Sequence, residues 1–443
     1  MNIQTQVAII GGGLSGLTAA YQLRKGGKQV QVLELSDRAG GVIRSERVDG
    51  FDLDLGPNSL VVNPFLEEWI RELHLEPFQL DAAAVSKNRY LVRDKVLHAL
   101  SPHPVKLLRS PYLSWTAKGR ILTERFRPRG TSPEESVSAF FTRRLGREIS
   151  EYIADPVFSG IYAGDIDRLS LKEVLPVLAQ WEQQFGSLTK GVFKQKGALK
   201  GRGRIVNFSG GLQRLTDALA APLGGALQLN ASIKEIQSTG EGYSIGYVQN
   251  GVSNVLEASA LIYTAPAYTL PGLSWFSDIA AITGTIQYAP IRTVHVAVNS
   301  AALELPEGFG FLVPSREGLS LLGCIFTSVI FPSKAPEGST LLTLMLGGSH
   351  RADALLQHPD KLQERALEEL SQILHIHSGL KVLHGQTWPR AIPQKNVGYG
   401  LVQQSLEAFE KTHPHFYFAG NTVSRVSVGD TMQYAAEIAS RLL

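Results

Sequence analysis

Hydrophobic positions along the chain follow two periods. Residues 7–10, Val-Ala-Ile-Ile, form a short unbroken apolar run, as a parallel strand buried on both faces requires. Helical spacing takes over at 17–24, with Leu14, Leu17 and Tyr21 on one face and Gly26-Gly27 ending it; a second strand follows at 30–33. Helical spacing returns at 64–73, and 88–100 reads as a hairpin turning at Arg93-Asp94-Lys95. Ser132, Pro133 and Glu135 read as N-cap, N1 and N3 of a helix over 137–145, with another over 148–154. Asp155-Pro156 reads as a break, and 159–165 as a glycine-punctuated loop. A helix over 208–221 precedes strands near 227–236, 243–249 and 260–264, and the pattern changes at Ala265-Pro266. Strands at 292–298, 320–326 and 340–346 accompany a helix at 360–375. The chain closes with the strand-like Phe416-Tyr417-Phe418 and a helix over 431–443.

Between the first strand and the first helix stand Gly11, Gly12, Gly13, Leu14, Ser15 and Gly16, a G-x-G-x-x-G on Gly11, Gly13 and Gly16. Each glycine has a task there: Gly11 the tight turn, Gly13 the approach of a pyrophosphate, Gly16 close packing of helix on strand. The helix start at Leu14 and Ser15 offers free N–H groups and a positive dipole end to the same phosphates. The second strand ends in Glu34, 23 residues after Gly11. A carboxylate there accepts from both ribose hydroxyls and disfavours a 2′-phosphate, which argues against NADP. After Leu35 come Arg38, Gly40, Gly41, Arg44 and Ser45, glycines flanked by two arginines that can wrap the far side of a pyrophosphate.

The E-x-x-x-R-x-G-G-x-x-x-S pattern from Glu34 to Ser45 resembles the flavoprotein amine oxidase superfamily. The resemblance implies FAD, held non-covalently because no Cys or His stands in the usual tethering segments. It brings Gly56 and Pro57 close to the flavin and adds Ile233, Trp388, Gly420, Asn421, Val426, Val428 and Asp430 as cofactor residues. Asp430 reads as the N-cap of the last helix, whose positive end would face the flavin edge that gains charge on reduction. The implied architecture is α/β. A discontinuous Rossmann-like FAD-binding domain (1–86, 206–265 and 384–443) carries an α+β substrate-binding domain (266–383 with part of 87–100) and a mainly helical, membrane-facing insertion (87–205).

Three further stretches narrow the resemblance to the protoporphyrinogen oxidases. They are Asn88-Arg89-Tyr90, the segment DPVFSGIYAGD at 155–165, and LGCIFTSVIFP at 322–332. That family implies no catalytic side chain, since FAD carries the chemistry. It implies removal of six electrons from protoporphyrinogen IX in three rounds in haem biosynthesis, with molecular oxygen as acceptor giving hydrogen peroxide. Arg89 would pair a propionate, Leu312 and Phe331 would sandwich the macrocycle, and backbone carbonyls at Gly160 and Gly164 would face the pyrrole N–H groups. The chain departs from the family at Lys395 and Tyr399, where an aromatic and a histidine are usual, and at Arg425, where a glycine is usual. The alternative is the same chemistry on coproporphyrinogen III, which carries four propionates. Behind it stand another FAD enzyme of the superfamily and a flavin-free relative that escorts a lipidated partner.

Composition adds bounds. At 443 residues, with 44% hydrophobic and 19% charged residues, the chain is globular and large enough for two or three cores. A single cysteine, Cys324, leaves no disulfide framework or cysteine metal cluster and fits a reducing compartment; no histidine spacing suggests a metal. No run of about 18 apolar residues predicts a membrane span, and the polar first six residues do not read as a signal peptide.

The formal net charge of +3 hides an asymmetry. Residues 101–131 carry Lys106, Arg109, Lys118, Arg120, Arg125, Arg127 and Arg129 against Glu124 alone. Residues 190–204 carry Lys190, Lys194, Lys196, Lys200, Arg202 and Arg204 and no acid, so the rest of the chain is net acidic. Leu107, Leu108, Tyr112, Leu113, Trp115, Ile121, Leu122 and Phe126 interleave with the first stretch. This predicts a patch that docks on anionic lipid rather than nucleic acid. The expected location is cytoplasmic, peripheral to the inner face of the cell membrane. The expected partners are a porphyrinogen and molecular oxygen, with ferrochelatase or a second copy of the chain beside them.

Overall fold

The computed structural model describes residues 2–100, 109–132, 134–195 and 203–443. The first apolar run becomes the middle of a seven-stranded sheet. Strand Asn2–Ile10 pairs in parallel with Val30–Leu33 on one side and Val252–Tyr263 on the other. Leu227–Gln228 extends the sheet beyond Val30–Leu33, and Phe416–Phe418 pairs in parallel with Val252–Tyr263. The antiparallel strands Ala231–Thr239 and Gly242–Gln249 complete it. One sheet thus gathers strands from three separate stretches of chain.

Val7, Ala8, Ile9 and Ile10 are all buried because helices cover both faces. On one face Leu14–Lys25, Gln213–Ala220 and Val428–Ser440 pack Leu17, Leu215 and Met432 with Val7 and Ile9. On the other, Ser277–Thr283 and Tyr399–Thr412 pack Ile279, Val402 and Leu406 with Ala8 and Ile10.

A second seven-stranded sheet runs in the order Lys381–Pro393, Tyr288–Asn299, Ser339–Gly347, Leu321–Ile325, Gly310–Leu312, Arg89–Arg93, Val96–Leu100. Helix Pro359–Leu374 packs against it. Its hairpin turns on Asp94 and Lys95, both left-handed (φ 54° and 62°), as a two-residue turn matched to strand twist requires. Strand Lys381–Pro393 lies wholly in this sheet and runs across position 384. Between residues 109 and 195 the described chain is helical, with Trp115–Thr123, Val137–Leu145, Asp155–Tyr162, Pro176–Phe185 and Leu188–Lys194. Phe140, Phe158 and Trp181 form its core.

Several local expectations are corrected. Ser136, not Ser132, caps helix Val137–Leu145, its hydroxyl accepting from the Ala139 N–H at 3.1 Å. Pro133 lies outside the described residues. Asp155-Pro156 does not break the chain's helical course. A π-helical turn, Ser150–Ala154, passes into helix Asp155–Tyr162, and this wider turn accommodates Pro156, which has no N–H to donate. Residues 159–162 are therefore helical, and left-handed Ala163 ends them. The helix expected from 208 starts at Gln213, because Phe208 is the last residue of strand Arg204–Phe208.

Candidate functional site

The first strand delivers the chain to Gly11, which turns with φ +106°. The Thr264 hydroxyl pins this turn by donating to the Ile10 and Gly11 carbonyls at 2.9 and 3.0 Å. A Cβ on Gly16 would lie 1.9 Å from the Gly11 carbonyl oxygen, so only glycine lets the helix approach the strand this closely. Helix Leu14–Lys25 begins without a side-chain cap and without an acid in its first turn. Its start, at Leu14 and buried Ser15, therefore leaves amide N–H groups for an anion.

Glu34 stands beside this turn. Its carboxylate accepts from the Gly12 N–H at 2.5 Å and from the Ser36 N–H and hydroxyl at 2.8 and 2.6 Å. Leu35 next to it is exposed. A Cβ on Gly13 would meet nothing nearer than the Gly41 Cα at 4.0 Å, so two bare backbones face each other. The guanidinium of Arg38 donates to the carbonyls of Ala39, Gly41 and Ile43, which holds the Gly40-Gly41 loop in shape. Arg44 pairs with Glu46. Open helix amides, an acid at the end of the second strand and a side-chain-free cleft are the donor and acceptor set of a dinucleotide, and the residues present fit one.

The C-terminal segment returns to this point. Gly420 lies against the Thr264 carbonyl and near Ser15 Oγ, and half-buried Asn421 follows it. The last helix is capped by Ser427, not Asp430. The Asp430 N–H donates to Ser427 Oγ at 3.0 Å, and the Ser427 hydroxyl donates to Asp430 Oδ2 at 2.7 Å, so Asp430 stands at N3 and orients the capping hydroxyl. Val428 packs on the core under the dinucleotide turn. Val426 instead packs against the helical core of Phe158 and Tyr162. Ile233 lies in strand Ala231–Thr239, whose first residue donates from its N–H to the Glu34 carbonyl.

Gly56 and Pro57 follow strand Phe51–Asp54. The preceding Leu55 carbonyl accepts from Trp388 Nε1 at 2.8 Å and from the Thr293 hydroxyl at 3.0 Å, so Trp388 anchors this segment from the second sheet. Beside it lies a group that sequence reading missed. Lys334, 0% exposed, donates to Asp54 Oδ2 at 2.5 Å. Asn207, Ser45 and the Leu212 N–H satisfy the rest of the Asp54 carboxylate. Buried His295 meets the Asp54 carbonyl through Nε2. The partners are up to 280 residues apart, so no spacing could reveal them.

On the substrate side, Arg89 opens strand Arg89–Arg93, with its guanidinium 4.9 Å from the Phe309 ring centroid and donating to the Ser86 carbonyl. Leu312 lies on the neighbouring strand, opposite Leu91. A Cβ on Gly160 would lie 2.7 Å from Leu312, so the exposed end of helix Asp155–Tyr162 meets Leu312 directly. Ile161, 53% exposed, extends this apolar face and was not singled out from sequence. Two expectations need correction. Phe331 is 2% exposed and has no surface to offer a ring. Gly164 is buried against Gln394 and Leu169, where it serves packing.

In the helical zone, Trp115 is 84% and Phe126 71% exposed, with exposed Leu122 between them. Lys118 lies over the Trp115 ring and Arg125 over the Phe126 ring. Buried Glu124 pairs with Arg144 and accepts from the Ser187 and Thr189 hydroxyls and the Leu188 N–H. That ties the start of helix Leu188–Lys194, with Lys190 and Lys194, to the Trp115–Phe126 region. Arg204 belongs elsewhere, paired with Glu67 and Asp81. Lys106, Leu107, Leu108, Lys196, Lys200 and Arg202 lie outside the described residues. Among the described residues no helix is long and apolar enough to cross a membrane.

Comparison with known proteins gives the following. Residues 14–442 match the family described as flavin-containing amine oxidoreductase. Protoporphyrinogen oxidase 2 of Arabidopsis thaliana is 30% identical over 99% of this chain and 94% of its own. Coproporphyrinogen III oxidase of Bacillus subtilis is 28% identical over 96% of this chain and 95% of its own. A crystal structure from an Exiguobacterium species, provisionally described as a protoporphyrinogen oxidase, superposes with a TM-score of 0.82 at 21% identity, covering 99% of this chain and 98% of that one. This last likeness concerns the fold.

Proposed function

Because the chain belongs to the flavin-containing amine oxidoreductase family, we propose that it is an FAD-dependent oxidase of porphyrinogens, converting protoporphyrinogen IX to protoporphyrin IX in haem biosynthesis. One observation carries the reading: a complete dinucleotide cradle occurs in the same chain as an apolar face at Gly160, Ile161 and Leu312 with Arg89 nearby on the strand next to Leu312. Relatives named for porphyrinogen oxidation match nearly the whole chain. FAD held in this cradle would supply the two-electron acceptor that a six-electron oxidation uses three times, with molecular oxygen as the proposed final acceptor.

The chain's own residues bind and orient. Gly11, Gly13, Leu14, Ser15 and Gly16 take the pyrophosphate, and Glu34 takes the ribose through the acceptor capacity its present partners leave. Arg38, Gly41 and Arg44 close the far side. Trp388 and Thr293 fix Leu55, and with it Gly56 and Pro57. Arg89 pairs a propionate while Leu312 and Ile161 offer the macrocycle an apolar surface. In this reading residues 1–86, 206–265 and the chain after strand Lys381–Pro393 form the FAD-binding domain, 266–383 with that strand and the 89–100 hairpin the substrate domain, and the rest of 87–205 the insertion.

The test is direct. Purified protein should show flavin absorption, and heating should release the chromophore into the supernatant. Added protoporphyrinogen IX or coproporphyrinogen III should gain porphyrin fluorescence. A flavin-loaded protein inert towards both would sink the proposal. The coproporphyrinogen reading is favoured by one observation: the exposed Arg425 enters no ion pair among the described residues.

For location, we propose that Trp115, Leu122 and Phe126, ringed by Arg125, Arg127, Arg129, Lys190 and Lys194, dock on the anionic inner face of the cell membrane. Exposed aromatics under cations support this.

A further inference from the structure

The loop between strand Phe416–Phe418 and the last helix lies at the carboxyl edge of the first sheet, where open α/β sheets bind ligands. Its backbone is clamped at every step. The Ser424 N–H donates to the Gly420 carbonyl at 2.9 Å. The Thr422 carbonyl accepts from the Tyr399 hydroxyl at 2.8 Å, and the Ser424 carbonyl from Lys395 Nζ at 2.9 Å. The Arg425 carbonyl accepts from the Ser424 and Thr431 hydroxyls at 2.9 and 3.2 Å. Val426 packs beside Phe158 and Tyr162. Within this rigid frame Thr422 and Ser424 are buried, while the Arg425 side chain is exposed.

The charges of Glu173 and Asp430 reach this neighbourhood, at Lys395 and Tyr162 respectively, without closing an ion pair to Arg425. Arg425 enters no ion pair among the described residues, and neither does Lys395, which is 3% exposed. The charge of Arg425 reaches both the Tyr162 phenol and the Lys395 ammonium. Burial depresses Lys395, Glu173 opposes it, and the neighbouring Arg425 cation adds a smaller depression. Tyr162 directly follows Gly160 and Ile161, the apolar face at Leu312. An exposed guanidinium with no ion pair, on a fixed backbone beside the helix that carries that face, can take a carboxylate brought by a ligand.

Resting on the porphyrinogen reading, we propose that Arg425 binds a substrate carboxylate other than the one Arg89 takes, and thereby favours a porphyrinogen with four propionates over one with two. The two-propionate substrate carries its carboxylates on one edge and uncharged vinyl groups on the other. The second anchor therefore acts chiefly on coproporphyrinogen III. Lys395 is a positioning residue: it holds Arg425 through the Ser424 carbonyl.

The test compares wild type, Arg425→Ala and Arg425→Lys, each loaded with flavin, on both porphyrinogens. It adds fluorescence titration with the oxidised products coproporphyrin III and protoporphyrin IX as a readout free of turnover. Arg425→Ala should raise KM for coproporphyrinogen III, and weaken coproporphyrin III binding, about tenfold or more relative to its effect on the two-propionate partner. Arg425→Lys should recover part of the difference. An unchanged ratio overturns the inference, as does an equal loss on both substrates with a shifted flavin spectrum, since that would put Arg425 at the cofactor. A flavin-loaded wild type that neither oxidises a porphyrinogen nor binds a porphyrin overturns the function itself, and this inference with it.

Discussion

Glu34 and Arg89 act at single contacts whose loss should read out differently. The Glu34 carboxylate organises the Gly12 and Ser36 amides and faces the side-chain-free cleft beside Gly13. Glu34→Ala should lower FAD occupancy of the purified protein, since each hydrogen bond to a charged acceptor is worth about 1.5–3 kcal/mol; the ratio of flavin to protein absorbance measures it. In the proposed reading Arg89 would take a propionate remote from the reacting carbon, so its binding energy would be nearly equal in the ground and transition states. Arg89→Ala should raise KM by roughly tenfold or more with kcat little changed. An unchanged KM would remove Arg89 from the site. The G-x-G-x-x-G and Glu34 were legible in the sequence because every demand on them is local. Phe331 was not: whether an aromatic lines a slot or fills a core depends on what packs over it, and here protein does. Ser427 and Asp430 stand three apart and either can cap a helix; the helix begins at Val428, so the cap falls to Ser427.

Between elements, the decisive joint is that of strand Phe51–Asp54 with the second sheet. Asp54 and Lys334 are buried together, with Thr293, His295 and Trp388 beside them. Removing one member of a buried pair leaves an uncompensated charge, at a cost of about 3–5 kcal/mol. Lys334→Met should therefore lower the denaturation midpoint strongly, and the double substitution Lys334→Met with Asp54→Leu should recover part of the loss. The same joint carries a pH dependence. Burial pushes the His295 imidazole down to about 4, against the opposing pull of Asp54 and with His384 and Lys334 adding to the depression. An unfolded histidine takes up its proton near pH 6.5. Between about 6.5 and 4 the unfolded chain holds a proton that the folded chain refuses, so this contribution is intact above about 6.5 and falls as the pH drops towards 4. His295→Asn should flatten that stretch of a stability-against-pH curve. The strands at 7–10, 30–33 and 340–346 and the helices near 17–24, 64–73 and 360–375 were readable in advance from their periods, whereas strand Lys381–Pro393 and helices Pro176–Phe185 and Tyr399–Thr412 carry no period clear enough to single them out. The helix Asp155–Tyr162 was not readable either, because a proline ordinarily stops a helix in its interior, and here the wider turn Ser150–Ala154 accommodates it.

For the whole molecule, the exposed Trp115–Phe126 face makes a measurable claim. The protein should sediment with anionic vesicles at low salt and release substantially as salt rises, since each cation near such a surface adds about 1 kcal/mol within a Debye length. Arg125→Glu, Arg127→Glu and Arg129→Glu together should weaken sedimentation while leaving turnover in detergent intact. Wild type that ignores the vesicles would leave the patch a solvated surface. The shared sheet has another consequence, for synthesis. Asn2 pairs with Val255, and Leu261 pairs with Phe416. At about 5–20 residues per second, the first strand waits roughly 12–50 s on the ribosome for its partner. Until then Val7–Ile10 and the first helix expose apolar surface that only a chaperone or transient contacts can shield. Gly420 and helix Val428–Ser440 arrive later still, so the cradle closes only once that helix has left the exit tunnel. Flavin capture therefore waits for the last of these pieces, and a nascent chain stalled before residue 416 should emerge colourless and prone to aggregate.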